Sequence, residues 1–505
     1  MANILIIGGG VSGLSAGIYA LMSGHQATIC ERHAVPGGNL TGWWRGEYHI
    51  DNCIHWLTGT NPNTERYKRW EEVGALGDVK VHLGESLYTC EHDGKTMSLY
   101  RDLNRVKEEM LQISPADGKE IRQFIKAVKA AQSVCGFEIG DGDGKGGALS
   151  KIAAMPALAR YAMMSTGDLA TKFEHPLLRR FISCLIGEDF SSIALLVVFA
   201  TFCGNDGGIP QGGSLAMANR MADRFVSLGG RLLLGKKAIK INLARRRAKS
   251  VSFEDGSELP CDYVVCATDP KTSIEKLLSR PLPSAISKEY ADEKMIRFSS
   301  YHTAFACKTN KLPFVGDYIL SLNKKQQVEL GAKYLVLREF SHDKTFAPKG
   351  ETVLQTMVFC GEARSRAFVE MRKTDKEGYK EQKAHLAALI EEIILAKFPK
   401  LKDKIKCIDM WTPATYNRYY GEEIGAYMSF IFPKRYLPRP APCSVPGVRN
   451  VVLATQWQQA PGGLPTAVSM GARAIKYICR KENRKFAYKF MPPFTAKAVK
   501  RRPSH

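Results

Sequence analysis

No apolar run in this chain of 505 residues approaches the length of a membrane-spanning helix. The longest, Ile193 to Cys203, is about half of the roughly 20 residues that a span requires. The sequence therefore argues against a multi-span membrane protein. The first residues lack a basic segment followed by an apolar stretch and a small-residue cleavage site, so an unprocessed, cytoplasmic chain is expected. The 13 cysteines contain no Cys-x-x-Cys, and the nearest pair, Cys261 and Cys266, falls within one strand-like run. Neither a zinc site nor a disulfide framework fits that spacing, and reduced thiols are the expectation. Acidic residues are scarce: 50 Asp and Glu stand against 72 Lys and Arg, a net charge of +22. Such an excess suits an anionic partner, yet no helix-turn-helix, RNP or zinc-finger pattern accompanies it, so no nucleic acid is expected. What is present is ordinary for globular cores, 45% hydrophobic and 24% charged, in a chain long enough for about two to four domains.

The chain opens on the β-type run Asn3 to Ile7, then Gly8-Gly9-Gly10-Val11-Ser12-Gly13, then a helical pattern with Leu14, Ile18 and Leu21 on one face. Gly24 ends that helix, and Ala27 to Cys30 reads as a second strand, completing a β-α-β unit. Residues 32–60 read as an irregular functional stretch, and Tyr67 to Thr201 as mostly helical, broken by the Gly/Asp-rich loop 140–147. A helix over Ser214 to Leu228 precedes strands at Arg231 to Leu234, Ile239 to Leu243, Ser250 to Phe253 and Asp262 to Ala267. Strand-like alternation returns at 296–309 and 352–360, before an amphipathic helix carrying Leu386, Leu389 and Ile393. Val451 to Ala454 is a last strand, followed by Pro461-Gly462-Gly463, a small-residue helix from Leu464 to Tyr477 and a basic tail.

Gly8-x-Gly10-x-x-Gly13, after a strand and before a helix, has the spacing of a dinucleotide-binding turn. Gly8 suits a tight turn, Gly10 lets a pyrophosphate reach the backbone, and Gly13 lets helix pack on strand. Val11 and Ser12 begin the helix whose free N–H groups would meet the phosphates. Glu31, at the end of the second strand, is placed to accept from ribose hydroxyls, which favours FAD or NAD over NADP. Arg32 beside it is read either as a phosphate contact or as a solvated surface residue.

These residues, with Pro36-Gly37-Gly38 and Tyr48-His49-Ile50-Asp51, resemble the opening of the FAD-dependent phytoene desaturase, carotenoid isomerase and retinol saturase group, a relative of the flavin amine oxidases. The likeness continues in chain order through Gly212-Gly213-Ser214-Leu215, Asp262 to Pro270, Thr412-Pro413-x-Thr415-x-x-Arg418-Tyr419, and Pro461-Gly462-Gly463-x-Pro465-x-Ala467.

The resemblance implies FAD, with Gly37 and Gly38 giving a second backbone approach to its phosphates. Asn39 stands where the family often has Arg, and Ala454-Thr455-Gln456 where relatives often carry Gly-Asp. Gln456 would then serve a ribitol hydroxyl, and Gly462, Gly463 and Leu464 would open a helix towards the isoalloxazine ring. The family's D-x-G-x-H stretch corresponds to Asp51, Asn52, Cys53 and His55. His55 is the candidate for proton transfer, with a purely structural role as the alternative. Tyr416, Arg418 and Tyr419 are candidates for lining the substrate cavity, and no metal is expected.

The expected architecture is α/β: a Rossmann-like FAD-binding domain from residues 1–72, 205–290 and 448–482, and an inserted α+β substrate domain from 73–204 and 291–447. In that domain a mixed sheet is covered by helices, and residues 483–505 form a basic tail. With one dinucleotide fingerprint, a separate NAD(P)H domain is not expected, and the electron acceptor stays open. The expected activity is FAD-dependent desaturation, saturation or cis–trans isomerisation of an apolar polyene, isoprenoid or related lipid. A flavin amine oxidase and a non-catalytic lipid-binding flavin fold are the alternatives. Lys145, Lys151, Arg160 and Lys172, flanking apolar residues between Leu149 and Ala170, and the tail from Arg480 to Arg502 mark a candidate contact with a membrane surface.

Overall fold

The computed structural model describes residues 1–134, 156–436 and 440–487. Strands Asn3–Ile7, Gln26–Cys30, Arg231–Leu233, Tyr263–Cys266 and Val451–Leu453 form one parallel sheet. Asn3–Ile7 lies at its centre, between Tyr263–Cys266 and Gln26–Cys30. Successive side chains of a strand point to opposite faces, and here both faces are buried. Ile4 and Ile6 pack with Leu14 and Ile18 of helix Val11–Met22, with Met217 and Phe225 of helix Gly213–Ser227, and with Ile475 of helix Leu464–Lys481. Leu5 and Ile7 face the other way, onto Val251 and Phe253 of a three-stranded antiparallel sheet. Helix Leu464–Lys481 lies so close to the first helix that a Cβ on Gly471 would sit 2.6 Å from the Ser12 carbonyl oxygen.

A second sheet has seven strands. Its order is Ile405–Trp411, Phe298–Cys307, Thr352–Gly361, Tyr334–Glu339, Asp317–Ser321, Ser86–His92 and Lys95–Tyr100. Pairing is antiparallel except between Asp317–Ser321 and Ser86–His92, so the sheet is mixed, as expected. Leu335, Leu337, Leu354 and Val358 face helix Lys376–Lys397 through Leu386, Ile390 and Ile394. Val336 and Met357 face the opposite, helical layer that holds Phe124, Phe181 and Phe199.

Two stretches differ from the sequence reading. The segment expected to be mostly helical contributes the hairpin Ser86–Tyr100, the edge of the second sheet. Its turn is Asp93-Gly94, both residues at positive φ, a pair that favours tight hairpins and was legible in the sequence. Residues 32–60 are not wholly irregular, since Gly42–Arg45 pairs with Tyr48–Asp51. Among the described residues, no helix is long and apolar enough to cross a membrane. Of the surface cations singled out, Arg160 pairs with Glu120. The loop 140–147, Lys145, Lys151 and residues 488–505 of the tail lie outside the described residues.

Candidate functional site

The glycines after the first strand have separable reasons to be glycine. Gly8 sits at φ +105°, and a Cβ on Gly13 would lie 1.9 Å from the Gly8 carbonyl oxygen. The chain itself forbids side chains at both. Gly10 has φ −73°, which any residue adopts, and a Cβ there would meet nothing closer than 3.8 Å. Neither backbone nor packing demands glycine at position 10. The open space above it is bounded by the Gly37 carbonyl oxygen and Gly38 Cα, because the two glycine turns adjoin through the Gly37 amide, which donates to the Gly9 carbonyl at 2.8 Å. Helix Val11–Met22 begins at this space with no side-chain cap and no acidic residue in its first turn, so its leading N–H groups and its positive end face it. A phosphate-bearing cofactor fits such a cradle.

Glu31 is 6% exposed and braces the turn. One carboxylate oxygen accepts from the Gly9 amide at 2.7 Å and the other from the His33 amide at 2.9 Å. Arg32 points elsewhere: its guanidinium donates to the Arg418 and Tyr419 carbonyl oxygens, which end helix Pro413–Tyr420. A cation at a helix C-terminus satisfies free carbonyls.

Asn39 joins three segments. Its side-chain amide donates to the Tyr427 carbonyl at 2.9 Å, and its own carbonyl accepts from Asn52 at 3.2 Å. Asn39 Oδ1 is buried without a partner among the described residues. Gln456 donates to the same Tyr427 carbonyl at 3.1 Å and accepts from the Gly463 amide at 2.7 Å. The Gly463 N–H, expected to face the flavin, is thus engaged by Gln456. Gly462 at φ +76° makes the turn, and Leu464 starts the final helix.

Beside Asn39 and Asn52 opens a small cleft lined by Asp51, Asn52, His55, His302, Val336, Arg338, Gln355, Thr356 and Met357. Its floor follows from strand register. His302 pairs with Met357 and Met357 with Val336, while Gln355 pairs with Arg338, so these side chains share one face of the second sheet. The lining mixes polar side chains with the apolar Val336 and Met357.

His55, the candidate for proton transfer, lies in this cleft with its side chain 31% exposed. Its Nδ1 accepts from Arg338, since a guanidinium can only donate, which leaves the proton of the neutral ring on Nε2. Arg338 is held by Asp317 through two bonds of 2.9 Å and donates to the Ile54 carbonyl at 3.2 Å. His302 stacks on Trp411 with centroids 4.7 Å apart, and its Nε2 meets Ser300 Oγ at 2.6 Å and Tyr416 Oη at 3.1 Å. Burial pushes its imidazole down to about 3, so the ring is neutral at ordinary pH. Burial pushes the neighbouring Cys53 thiol up to about 12.

The three candidate lining residues separate. Tyr416 is buried, donates to Asn52 Oδ1 at 3.1 Å and accepts from Trp411 Nε1 at 3.0 Å. Tyr419 is 41% exposed and carries the Arg418 guanidinium over its ring, 4.5 Å from the centroid, so both lie outside the cleft. Sequence reading missed His302, Arg338, Asp317 and Gln355. The available signal was polar residues inside strand runs such as Tyr-Leu-Val-Leu-Arg-Glu, where burial demands a partner.

Comparison with known proteins gives these features a context. The chain is 25% identical over 513 residues to a neurosporene-forming phytoene desaturase of Rhodobacter capsulatus, covering 95% of this chain and 94% of that one. It is 24% identical over 451 residues to a chloroplastic prolycopene isomerase of an Oncidium hybrid, covering 84% and 75% respectively. Among solved structures, cyclohexylamine oxidase from Brevibacterium oxydans superposes with a TM-score of 0.57 at 15% identity, covering 96% of this chain and all of that one, a likeness of fold. The model of the flavin containing amine oxidoreductase family matches residues 11–479, from the first turn of the cradle helix to the end of the last helix, and the chain belongs to that family.

Proposed function

We propose that this protein is an FAD-dependent oxidoreductase acting on carbon–carbon bonds of an isoprenoid or polyene, by desaturation, saturation or cis–trans isomerisation. The observation that carries the cofactor assignment is Gly10, a glycine that only a ligand requires. The full-length likeness to a phytoene desaturase supports the substrate class.

In this reading the flavin-binding unit comprises 1–72, 205–290 and 448–482, and the substrate unit 73–204 and 291–447. All five strands of the parallel sheet fall in the first set and all seven of the mixed sheet in the second, which supports the division. Bound FAD supplies hydride exchange with the substrate carbon. The leading amides of helix Val11–Met22 and the Gly37-Gly38 turn hold its phosphates, while Glu31 keeps the turn open by fixing the Gly9 amide. Asn39, with an unpartnered buried acceptor, and Gln456 contribute neutral polar contacts where relatives place charge. Asn52 and Tyr416 tie the cradle to the cleft, so the position of the cofactor and that of the substrate are fixed through one hydrogen-bonded chain.

The test is an absorbance spectrum of the purified protein before and after anaerobic reduction, with lipid extraction of the same sample. Flavin bands that bleach, together with a polyene or isoprenoid in the extract, are the expected result. A colourless protein that FAD does not reconstitute would overturn the catalytic reading. Oxidation of a primary amine in place of an isoprenoid would move the protein to its amine oxidase relatives.

A further inference from the structure

Two arginines of helix Gly213–Ser227 have no partner for their charge. Arg220 and Arg224 are four residues apart and share one face of the helix. Both stand against the turn that follows helix Glu65–Glu72. Arg220 Nε donates to the Ala75 carbonyl at 2.9 Å, and the Arg224 stem passes Gly74 so closely that a Cβ there would lie 2.6 Å from Arg224 Cβ. Arg224 is 7% exposed. Its Nε and the Arg220 Nη2 are buried without a hydrogen-bond partner among the described residues, and no carboxylate opposes either guanidinium. Glu72, the last residue of the neighbouring helix, is committed to Tyr19 Oη and Arg69. Burial with no opposing charge pulls the Arg220 guanidinium down to about 10. Buried charges are normally paired, and two like charges four residues apart on a helix repel each other.

We propose that helix Gly213–Ser227 and the turn at Gly74-Ala75 form a binding site for a phosphate group, which the Arg220 and Arg224 guanidiniums hold together. The planar fork of donors on each arginine matches the oxygens of a phosphate, and a dianion balances both charges where a single carboxylate balances one. The site is separate from the cofactor cradle. Ala218 is the residue of this helix that faces Gly37, with its Cβ 2.6 Å from where a Gly37 side chain would begin. At 3.6 residues per turn, Arg220 and Arg224 lie about 200° and 240° around the helix from Ala218, so they face away from the cradle. The phosphate belongs either to a small soluble compound or to the head group of an anionic lipid, and both present the same oxygens. Bound there, it ties helix Gly213–Ser227 to the turn after helix Glu65–Glu72. The inference does not depend on the redox reading above.

The experiment titrates inorganic phosphate into the purified full-length protein at pH 8 and fixed ionic strength, followed by calorimetry. One saturable site with a Kd below about 1 mM is expected. Arg220→Met and Arg224→Met should each weaken it by at least about tenfold, the worth of one charge-assisted contact. Among the described residues the Arg224 side chain makes no hydrogen bond that Met would break. In phosphate-free buffer Arg224→Met should therefore unfold at a urea concentration no lower than the parent's, which separates lost binding from lost fold. Sedimentation with phosphatidylcholine vesicles, with and without phosphatidic acid, identifies the source. Retention of the parent but not of the double variant on phosphatidic acid vesicles places the phosphate on a lipid, whereas equal retention or none places it on a soluble compound. Absence of a saturable phosphate site in the parent, or an unchanged Kd in both single variants, would overturn the proposal.

Discussion

Asp51 Oδ2 accepts the Ser214 amide at 2.6 Å and Oδ1 accepts the Ser214 hydroxyl at the same distance. Two glycine- and acid-marked motifs, far apart in the chain, thereby meet at the start of helix Gly213–Ser227, where Gly212 offers no side-chain cap. The contact leaves no space for a side chain at Gly213, whose Cβ would lie 2.2 Å from Asp51 Oδ2. The carboxylate serves as a helix cap supplied from a remote strand, and it sets the hairpin and the loop to His55 against the cofactor-binding half.

Replacing Asp51 by Ala leaves the Ser214, Cys53 and Ile54 amides without their acceptor. A loss of about 2–4 kcal/mol in denaturant unfolding is expected, with a smaller loss for Asp51→Asn, which keeps one acceptor oxygen. Equal stability of Asp51→Ala and the parent would show that water replaces the cap.

Gly10 and Gly13 give a matched pair of tests. Gly10→Ala should leave the stability of the FAD-free protein within about 0.5 kcal/mol, since the added methyl has room, yet weaken FAD by at least about tenfold. Gly13→Ala, with its Cβ driven onto the Gly8 carbonyl, should destabilise the protein whether or not FAD is present. Cofactor titration and chemical unfolding of both variants separate the two roles, and unaltered FAD affinity in Gly10→Ala would remove the phosphate cradle from position 10.

Glu31 and Arg32 are neighbours with divergent expectations. Glu31→Ala frees the Gly9 amide and should weaken FAD by about tenfold, roughly the worth of one charge-assisted hydrogen bond. Arg32→Ala loosens the end of helix Pro413–Tyr420 and should lower the melting temperature while FAD affinity stays within about twofold. The reverse ranking in a cofactor titration would place Arg32 on the cofactor.

His302 carries a pH dependence whose sign follows from its burial. The ring is held at about 3 in the folded protein, below the roughly 6.5 of an exposed imidazole, so folding favours the neutral form. Its contribution is complete above about pH 6.5 and declines at about 1.4 kcal/mol per pH unit as the pH falls towards about 3. Urea unfolding of His302→Gln should therefore show a loss between pH 6.5 and 5 that is about 2 kcal/mol smaller than in the parent. Parallel curves would mean that the imidazole reaches water.

The parallel sheet was legible because its strands are short runs bounded by turn residues, glycine beside Asn3–Ile7, Gln26–Cys30 and Arg231–Leu233 and Asp269-Pro270 after Tyr263–Cys266, and the spacing around Gly8 to Gly13 named its ligand class. The cleft was not, because its residues come from four separate strands and one loop, and only the pairing of His302 with Met357 and of Arg338 with Gln355 brings them together. Register is a tertiary fact that no local pattern encodes. Tyr416 and Tyr419 illustrate the same limit, as three residues on one short helix place the first inside and the second in solvent. The hairpin at Asp93-Gly94 is a different case, a local signal present in the sequence and outweighed by the helical pattern around it.

The packing of Gly471 against Ser12 bears on how the protein is made. The first helix and the last are direct neighbours, and the strand Val451–Leu453 closes a sheet that begins at Asn3. At ordinary rates of translation the opening segment waits roughly 20–90 s for these partners to leave the ribosome. Through that interval the faces of Leu14, Ile18 and Ile4 lack the Ile475 side of their core. Apolar surface left open in this way favours aggregation, and a chain that ends before residue 451 lacks both the edge strand and the last helix that complete this core.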